Sequence, residues 1–230
     1  MGNSSPAPAS PGALLVVGAG KGIGLSVAHR FAAAGSTVGL VARSAGRLQE
    51  LAGTLAAEGA AVEWEAADAA DPGSLQPALK ALMARIGPVG ALCFSPLPEV
   101  GLIRPVLDTG AADFLASLAL NVGGAATAVR EVVPGMLANG RGSLLFTTGS
   151  GALRPSPDRA ASAVTTAAET AYVDLLHRRL APAGIRVAQV LIVGPVGPGL
   201  AHEPDAVAEA LWQAHQGRGS AATVLEPPAS

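Results

Sequence analysis

The glycine-rich stretch VVGAGKGIG, residues 16–24, decides the fold of this chain. It follows an apolar run, ALLVVG (13–18), that predicts a buried strand, and it opens a segment with a helical pattern. Gly18 permits a tight turn, Gly22 allows a pyrophosphate to approach the backbone, and Gly24 allows the helix to pack closely on the strand. The free N–H groups of the helix N-terminus would then bind the phosphates. The stretch therefore predicts a dinucleotide-binding site.

Apolar runs and alanine-rich helical patterns alternate along the rest of the chain. Further strands are predicted at 36–42, 60–66, 89–95, 142–148, 184–193 and 221–226. Helices are predicted at 22–34, 46–58, 73–86, 111–138, 157–182 and 204–216. Strands separated by single helices form a parallel sheet with helices on both faces. The pattern predicts an α/β protein with one Rossmann-like, doubly wound domain of about seven strands at 13–230, after a disordered tail at 1–12.

Composition and charge exclude several classes of partner. The net charge is −2 and the chain has no long basic run, which argues against binding of nucleic acid. No apolar stretch reaches the roughly 18–20 residues that span a bilayer, and MGNSSPAPASPG at 1–12 lacks the pattern of a signal peptide. The single cysteine, Cys93, lies in an apolar run and is predicted to be a buried thiol. We therefore expect a cytoplasmic protein without a membrane partner.

The glycine spacing G-x-x-x-G-x-G resembles that of the short-chain dehydrogenase/reductase family. The resemblance continues through nearly the whole chain, in AAD (66–68), LNVGGA (120–125), RRLAPAGIRVAQV (178–190) and GPVGPG (194–199). It implies the strand order 3-2-1-4-5-6-7 and a nicotinamide cofactor. In the family, the acidic residue after strand three contacts the adenine, and the Pro-Gly turn lies beneath the nicotinamide. The cofactor-binding residues implied here are Gly18, Gly20, Lys21, Gly22, Ile23, Gly24, Arg43, Ser44, Asp68, Ala69, Phe94, Ser95, Thr148, Gly194, Pro195 and Val196.

Charge at the end of the second strand indicates which nucleotide is bound. An NAD site needs a carboxylate there for the ribose 2′-hydroxyl, but LVARSAGR (40–47) contains none. Arg43, Ser44 and Arg47 stand there instead, and Lys21 adds a cation from the glycine-rich turn. Arg43 on its own is also typical of a solvated loop. Two cations without an acid favour NADP(H), because charge-assisted contacts to phosphate are strong.

The chain departs from the family at the residues that perform catalysis. The family uses a serine, a tyrosine thirteen residues later and a lysine four residues after the tyrosine. Counting back from RRLAPAGIRV places Ser162 at the tyrosine and Thr166 at the lysine. The end of strand five places Gly149 at the serine, with Ser150 one residue later. Only Asn121 of the usual four residues is retained, so the resemblance implies an atypical active site.

No neighbouring side chain replaces the missing tyrosine. Tyr172 lies ten residues beyond Ser162 on one helix, about 15 Å further along the axis and about 80° around it. Arg159 is one turn upstream, but a guanidinium is a poor proton shuttle. Ser162 and Thr166 share a helix face, where they either hydrogen-bond a ligand or serve as small packing residues. The histidines fit no metal-ligand spacing and are predicted to be surface residues: His29, His177, His202 and His215.

Three functions remain compatible with the sequence. The favoured one is an NADPH-dependent ketoreductase whose proton comes from water or from an acidic phenol of the substrate, with Asn121, Ser150 and Ser162 as the catalytic candidates. The alternatives are a non-redox enzyme (isomerase, cyclase or dehydratase) and a silent NADP(H)-binding sensor or scaffold. The short loop at 194–204 leaves the site open and favours a bulky, polyketide-type substrate. Small residues on helices 111–138 and 157–182 favour a homo-oligomer, either a dimer or a tetramer.

Overall fold

Seven parallel strands form one sheet in the computed structural model of the protein, which describes residues 12–227. The predicted tail, Gly12 apart, lies outside the described residues. The sheet has the order β3-β2-β1-β4-β5-β6-β7, which confirms the predicted order. The strands are β1 (Ala13–Val17), β2 (Val38–Ala42), β3 (Val62–Ala66), β4 (Val89–Phe94), β5 (Gly142–Gly149), β6 (Ile185–Ile192) and β7 (Ala222–Leu225).

Seven α-helices cover the two faces of the sheet in the described part of the chain. They are α1 (Ile23–Ala32), α2 (Ala45–Ala57), α3 (Pro72–Ile86), α4 (Ala111–Leu118), α5 (Ala125–Ala138), α6 (Ala160–Leu180) and α7 (Pro204–His215). Two predicted helices differ from the observed ones. A π-helical segment, Ala119–Gly124, interrupts the stretch predicted as one helix at 111–138. A 3₁₀ turn, Pro157–Arg159, occupies the predicted start of α6, because the Ser156 hydroxyl accepts a hydrogen bond from the N–H of Asp158.

Alternating side chains of the strands build one apolar core on each face of the sheet. In β1, Leu15 and Val17 contact the core beneath α3, α5 and α6, whereas Leu14 and Val16 contact the core beneath α1, α2 and α7. All five residues of β1 are buried, as expected for a central strand with helices on both sides. Cys93 in β4 is fully buried, and burial raises the pKa of its thiol to about 12, which confirms the predicted buried thiol.

The topology places a crevice at the carboxyl ends of β1 and β4. The chain passes from β1 to β2 on one side, whereas β4 lies on the other side, and ligands of such sheets bind where the order reverses. The glycine-rich turn lies at this point. Gly18 has φ +95°, and a Cβ there would lie 2.4 Å from Cα of Pro96, which follows β4. Only glycine fits, so Gly18 joins the two sides of the crevice.

Two of the four histidines do not lie at the surface, so that part of the prediction is wrong. His202 is buried, and its Nε2 lies 2.8 Å from the carbonyl oxygen of Val193. His215 is half-buried, with Nδ1 2.9 Å from Oγ of Ser143. Burial, and to a smaller extent the charge of Arg186, lowers the pKa of His215 to about 4. Both imidazoles therefore hydrogen-bond within the fold.

One helical stretch is apolar over a greater length than was expected of any segment in this chain. Ala111–Ala138, from α4 through α5, spans 28 residues, and its most apolar 18-residue window has a mean hydropathy of 1.3. By length and composition alone it is sufficient to cross a membrane, and 28% of its most apolar window is buried in the fold. Leu115 in α4 is 67% exposed. The stretch packs on α3 and α6 with one face and leaves apolar side chains uncovered on the other.

Candidate active site

The glycine-rich turn has the shape that a pyrophosphate requires. Within the described residues, a Cβ added at Gly20 or Gly22 would meet no atom within 4 Å, so both glycines border open space. A Cβ at Gly24 would lie 3.0 Å from Cα of Ala19. Glycine is needed at this position because α1 packs closely on the turn. Helix α1 begins at Ile23, and no side chain caps its N-terminus. Its first N–H groups are therefore available to phosphate oxygens, and the turn fits a dinucleotide.

Both cations predicted to bind the 2′-phosphate already have acidic neighbours. Arg43 Nη1 lies 3.6 Å from Oε2 of Glu99, and Lys21 Nζ lies 3.3 Å from Oε2 of Glu50. The expectation that no acid accompanies these cations is therefore wrong, because both carboxylates come from other parts of the chain. All four side chains are more than half exposed, and exposed pairs contribute only about 0–1 kcal/mol. A phosphate dianion can displace them.

Local hydrogen bonds fix the residues at the ends of β2 and β3. Ser44 caps α2, with its hydroxyl accepting a hydrogen bond from the N–H of Arg47 at 3.3 Å. Asp68 Oδ1 accepts a hydrogen bond from the N–H of Ala70 at 2.9 Å. A Cβ at Gly124 would lie 2.3 Å from the carbonyl oxygen of Ala69, so the π-helical segment packs directly on this turn. The half-buried Asp68 carboxylate thus has a fixed position at the edge of the crevice.

At the end of β4, the side chains of the predicted cofactor residues Phe94 and Ser95 are not free to contact a ligand. The Phe94 side chain is fully buried and packs on Phe146, with ring centroids 6.3 Å apart. Of this predicted cofactor residue, only the backbone can reach a ligand, because alternation along β4 turns the ring into the core. Ser95 Oγ lies 2.6 Å from Oγ1 of Thr147, so its hydroxyl is already hydrogen-bonded.

A cleft of about 450 Å³ lies where β5 and β6 end and α6 begins. It brings together the two predicted catalytic hydroxyls, of Ser150 and Ser162, and two residues of the predicted nicotinamide turn, Gly194 and Pro195. The remaining lining residues are Gly149, Gly151, Arg154, Ser156, Arg159, Ala163 and Ile192. His202 holds the short loop behind the cleft, since its N–H donates to the carbonyl of Pro195 and its own carbonyl accepts from the N–H of Gly197. Val196 pairs with His202 in the same loop.

The side chains of Asn121 and Thr166 hydrogen-bond within the helices and do not line the cleft. Asn121 lies in the π-helical segment and donates from Nδ2 to Oγ1 of the fully buried Thr165, at 2.9 Å. It does not line the cleft, but it ties this segment to α6. The hydroxyl of Thr166 donates to the carbonyl of Ser162 at 2.8 Å and is buried. Of the two alternatives for Thr166, the structure favours the packing role, because its hydroxyl bonds the carbonyl four residues earlier in the helix.

Comparison with known proteins identifies the family. A model of the short chain dehydrogenase family matches residues 13–204. The chain belongs to this family. Among curated relatives, it is 37% identical over 89 residues to the granaticin polyketide synthase putative ketoacyl reductase 1 of Streptomyces violaceoruber, which is 39% of this chain and 33% of the relative. The matched stretches span between 32% and 55% of the lengths of the first curated relatives, so the chain spans about half of their length or less.

Solved structures of short-chain dehydrogenases superpose along nearly the whole chain. One from Rhodopseudomonas palustris is 27% identical with a TM-score of 0.83, covering 94% of this chain and 99% of the other. An NADPH-bound short chain oxidoreductase from Pseudomonas aeruginosa PAO1, described as containing an atypical catalytic center, is 19% identical with a TM-score of 0.84, covering 95% and 96%. The second likeness shows the shared fold alone. The chain thus has the fold of an oxidoreductase family that uses NAD(P)(H).

A buried carboxyl group in this short-chain dehydrogenase was not apparent from the sequence. Glu169 lies on α6 seven residues after Ser162 and is 3% exposed. Burial raises the pKa of Glu169 to about 8, and a hydrogen bond with the buried Thr148 opposes the rise. At neutral pH the group is therefore mainly a neutral carboxylic acid next to the end of β5. Its surroundings in sequence, TAAETAY (166–172), resemble a solvated helix face and gave no indication of burial.

Glu169→Gln should make the stability of the fold less sensitive to a rise in pH from about 4.5 to about 8. The folded pKa is above the unfolded value of 4.5, so the protonated form stabilises the fold below pH 4.5 and that stability is lost as the pH rises toward about 8. The amide cannot ionise. In thermal unfolding, the Tm of the variant relative to wild type should therefore rise across that window, whereas Asp174→Asn, an exposed acid on the same helix, should leave the difference flat. A constant difference between Glu169→Gln and wild type would contradict the raised pKa.

Proposed function

We propose that this short-chain dehydrogenase is an NADPH-dependent ketoreductase with an atypical active site that acts on a bulky, polyketide-type ketone. The observation that carries the proposal is the cleft at the ends of β5 and β6, on the same edge of the sheet as the open glycine-rich turn. A dinucleotide bound at that turn extends along this edge in doubly wound folds. The cleft volume of about 450 Å³ suits a small-molecule substrate. Similarity to the granaticin ketoacyl reductase supports the substrate class.

The residues of the chain would position the substrate rather than supply a strong acid. Bound NADPH supplies a hydride, so the protein must mainly orient the ketone and exclude competing reactions. Ser150 and Ser162 border the cleft and offer hydroxyl groups to the carbonyl oxygen. Among the described residues, no tyrosine, lysine or histidine lines it. The proton on the new alcohol would therefore come from an acidic phenol of the substrate or from water, and orientation alone can lower the barrier by about 7–11 kcal/mol.

A silent NADP(H)-binding sensor or a non-redox enzyme is the second candidate. It is favoured by the same cleft, because the positions of the family's acid and lysine hold Ser162 and the inward-bonded Thr166. The two proposals differ in one assay. Consumption of NADPH in the presence of bulky aryl ketones supports the reductase, whereas binding of NADPH without consumption across the panel supports the sensor or the non-redox enzyme.

The nucleotide preference is tested by two substitutions at the 2′-phosphate end. Arg43→Ala should weaken NADP⁺ binding by about tenfold or more and leave NAD⁺ binding unchanged, because hydrogen bonds to charged groups contribute about 1.5–3 kcal/mol. Glu99→Gln should strengthen NADP⁺ binding slightly, since it frees Arg43 from a competing carboxylate. Fluorescence titration with NADP⁺ and NAD⁺ measures the affinities of wild type and both variants, with Arg178→Ala as an exposed-arginine control. An equal loss of affinity for NADP⁺ and NAD⁺ in Arg43→Ala would contradict a role of Arg43 in binding the 2′-phosphate.

We also propose a cytoplasmic homo-oligomer, a dimer or a tetramer, assembled through α4, α5 and α6. Their outer faces leave apolar side chains exposed, including Leu115 at 67%, Val164 at 50% and Leu175 at 65%. A second copy of the chain would cover them, and burial of each side chain contributes about 1.5–3 kcal/mol. Light scattering at micromolar concentration tests this, with a mass above the monomer expected. Leu115→Lys with Leu175→Lys should shift the mass toward the monomer.

A further inference from the structure

The cleft has a positive charge that the reduction of a neutral ketone does not require. Two of its lining residues are arginines, Arg154 and Arg159, and none of the described residues that line it is an aspartate or a glutamate. The other polar lining side chains are serines. Such a wall stabilises an anion more strongly than a neutral ligand of the same shape.

The two arginines differ in their partners. Arg154 Nη2 lies 2.6 Å from Oε1 of Glu226, so an ion pair with the segment after β7 holds it at one side of the cleft. For Arg159, no carboxylate oxygen of the described residues lies within 4 Å of the guanidinium, although Asp158 is its neighbour in sequence. Arg159 is therefore the cation with unused hydrogen-bonding capacity.

The backbone around Arg159 is fixed. Arg159 precedes the first residue of α6, and its own N–H donates to the carbonyl of Ser156 at 3.1 Å. The N–H of Ala160 donates to the carbonyl of Arg104 at 3.1 Å, which joins the helix start to the loop after β4. Ser162, in the first turn of α6, lines the same cleft. The guanidinium thus extends from an anchored position beside the predicted carbonyl-binding serine, where the helix N-terminus adds positive potential.

We propose that the cleft binds an oxyanion of the substrate, a carboxylate or phosphate oxygen, against Arg159, with Arg154 as the second cation. This deepens the proposed function, because it takes the ligand of the cleft to be the substrate of the reductase. Arg159 would then determine specificity by selecting anionic over neutral ketones. It touches the bound group through charge-assisted hydrogen bonds, which a planar guanidinium can make in pairs.

Equilibrium binding tests the proposal without any turnover. Benzoate, phenyl phosphate and benzamide are titrated calorimetrically into the full chain loaded with NADP⁺, at low and high salt. Wild type should bind at least one of the two anions about tenfold or more tightly than benzamide, and the preference should weaken with salt. The two anion arms distinguish carboxylate from phosphate. In Arg159→Gln the preference should be lost, whereas Arg141→Gln, an exposed arginine outside the cleft, should retain it.

The outcomes separate this inference from the proposed function. Equal binding of anions and benzamide to wild type, or a preference that survives in Arg159→Gln, overturns the oxyanion site even if ketones are reduced. A preference that depends on Arg159 supports the site even if no ketone is reduced, in which case the reductase alone fails. Thermal unfolding checks that Arg159→Gln is folded, and Arg159→Lys provides a second variant that should keep part of the preference.

Discussion

Replacing Gly22 with valine should abolish binding of the dinucleotide while the protein remains folded. Within the described residues, a Cβ at Gly22 would meet nothing within 4 Å, so the fold has room for a side chain there. That room is where the pyrophosphate approaches the N-terminus of α1, and an isopropyl group would fill it. We expect the Kd for NADPH to rise by at least about a hundredfold, equal to about 2.8 kcal/mol.

The measurement is a fluorescence titration with NADPH, accompanied by thermal unfolding of each variant. Gly53→Val is the matched control, because Gly53 in α2 also borders open space but lies away from the turn. The control should bind NADPH like wild type. Unchanged affinity in a folded Gly22→Val protein would show that the open space at the turn does not hold a pyrophosphate.

Methylating a phenol on the substrate should cost more activity than any single side-chain change in the cleft. In an ortho-hydroxyaryl ketone, the hydride adds to the carbonyl carbon, the carbonyl electrons move to oxygen, and that oxygen takes the phenol proton. Arg159 and Ser150 border the site where the phenolate would be left. The methyl ether has no proton to give, so we expect a loss of about 10²–10⁴-fold, the range for removing a general acid. Ser162→Ala should cost less than about tenfold.

Initial rates are measured with the ketone and with its methyl ether, for wild type and for Ser162→Ala. These four rates compare the cost of methylation with the cost of the substitution. A solvent pH profile adds a second readout, because a substrate phenol imposes its own pKa on the rate of wild type and variant alike. If Ser162→Ala is inactive and the methyl ether is reduced at the normal rate, the protein itself supplies the proton through Ser162.

Much of the fold could be predicted from the sequence, because local patterns determine it. Apolar runs separated by single helical segments require a parallel sheet, and the spacing of Gly18, Gly22 and Gly24 fixes where the nucleotide turn lies. The structure adds the reasons, such as the close approach of Pro96 to Gly18. The π-helical segment was missed, since the residues around Asn121 keep an ordinary helical pattern.

The site was less predictable because its properties depend on contacts between distant segments. Glu99 reaches Arg43 from 56 positions away, and nothing in either local sequence indicates the pair. Glu169 is buried by the packing of α6 on the end of β5, although its neighbours in sequence resemble a solvated face. The inward hydrogen bond of Thr166 depends on the helix backbone, which the sequence does indicate, so the packing alternative could have been preferred from the sequence.

Transfer of deuterium from NADPH labelled at the hydride-donating carbon is a direct test of the proposed ketone reduction. Wild type is incubated with the labelled cofactor and a panel of bulky ortho-hydroxyaryl ketones, some of which carry a carboxylate, and the products are analysed by mass spectrometry. We expect one deuterium on the carbinol carbon of at least one product, with no transfer in Gly22→Val. Tight binding of NADPH without deuterium in any product would contradict the reductase and favour a sensor or a non-redox enzyme.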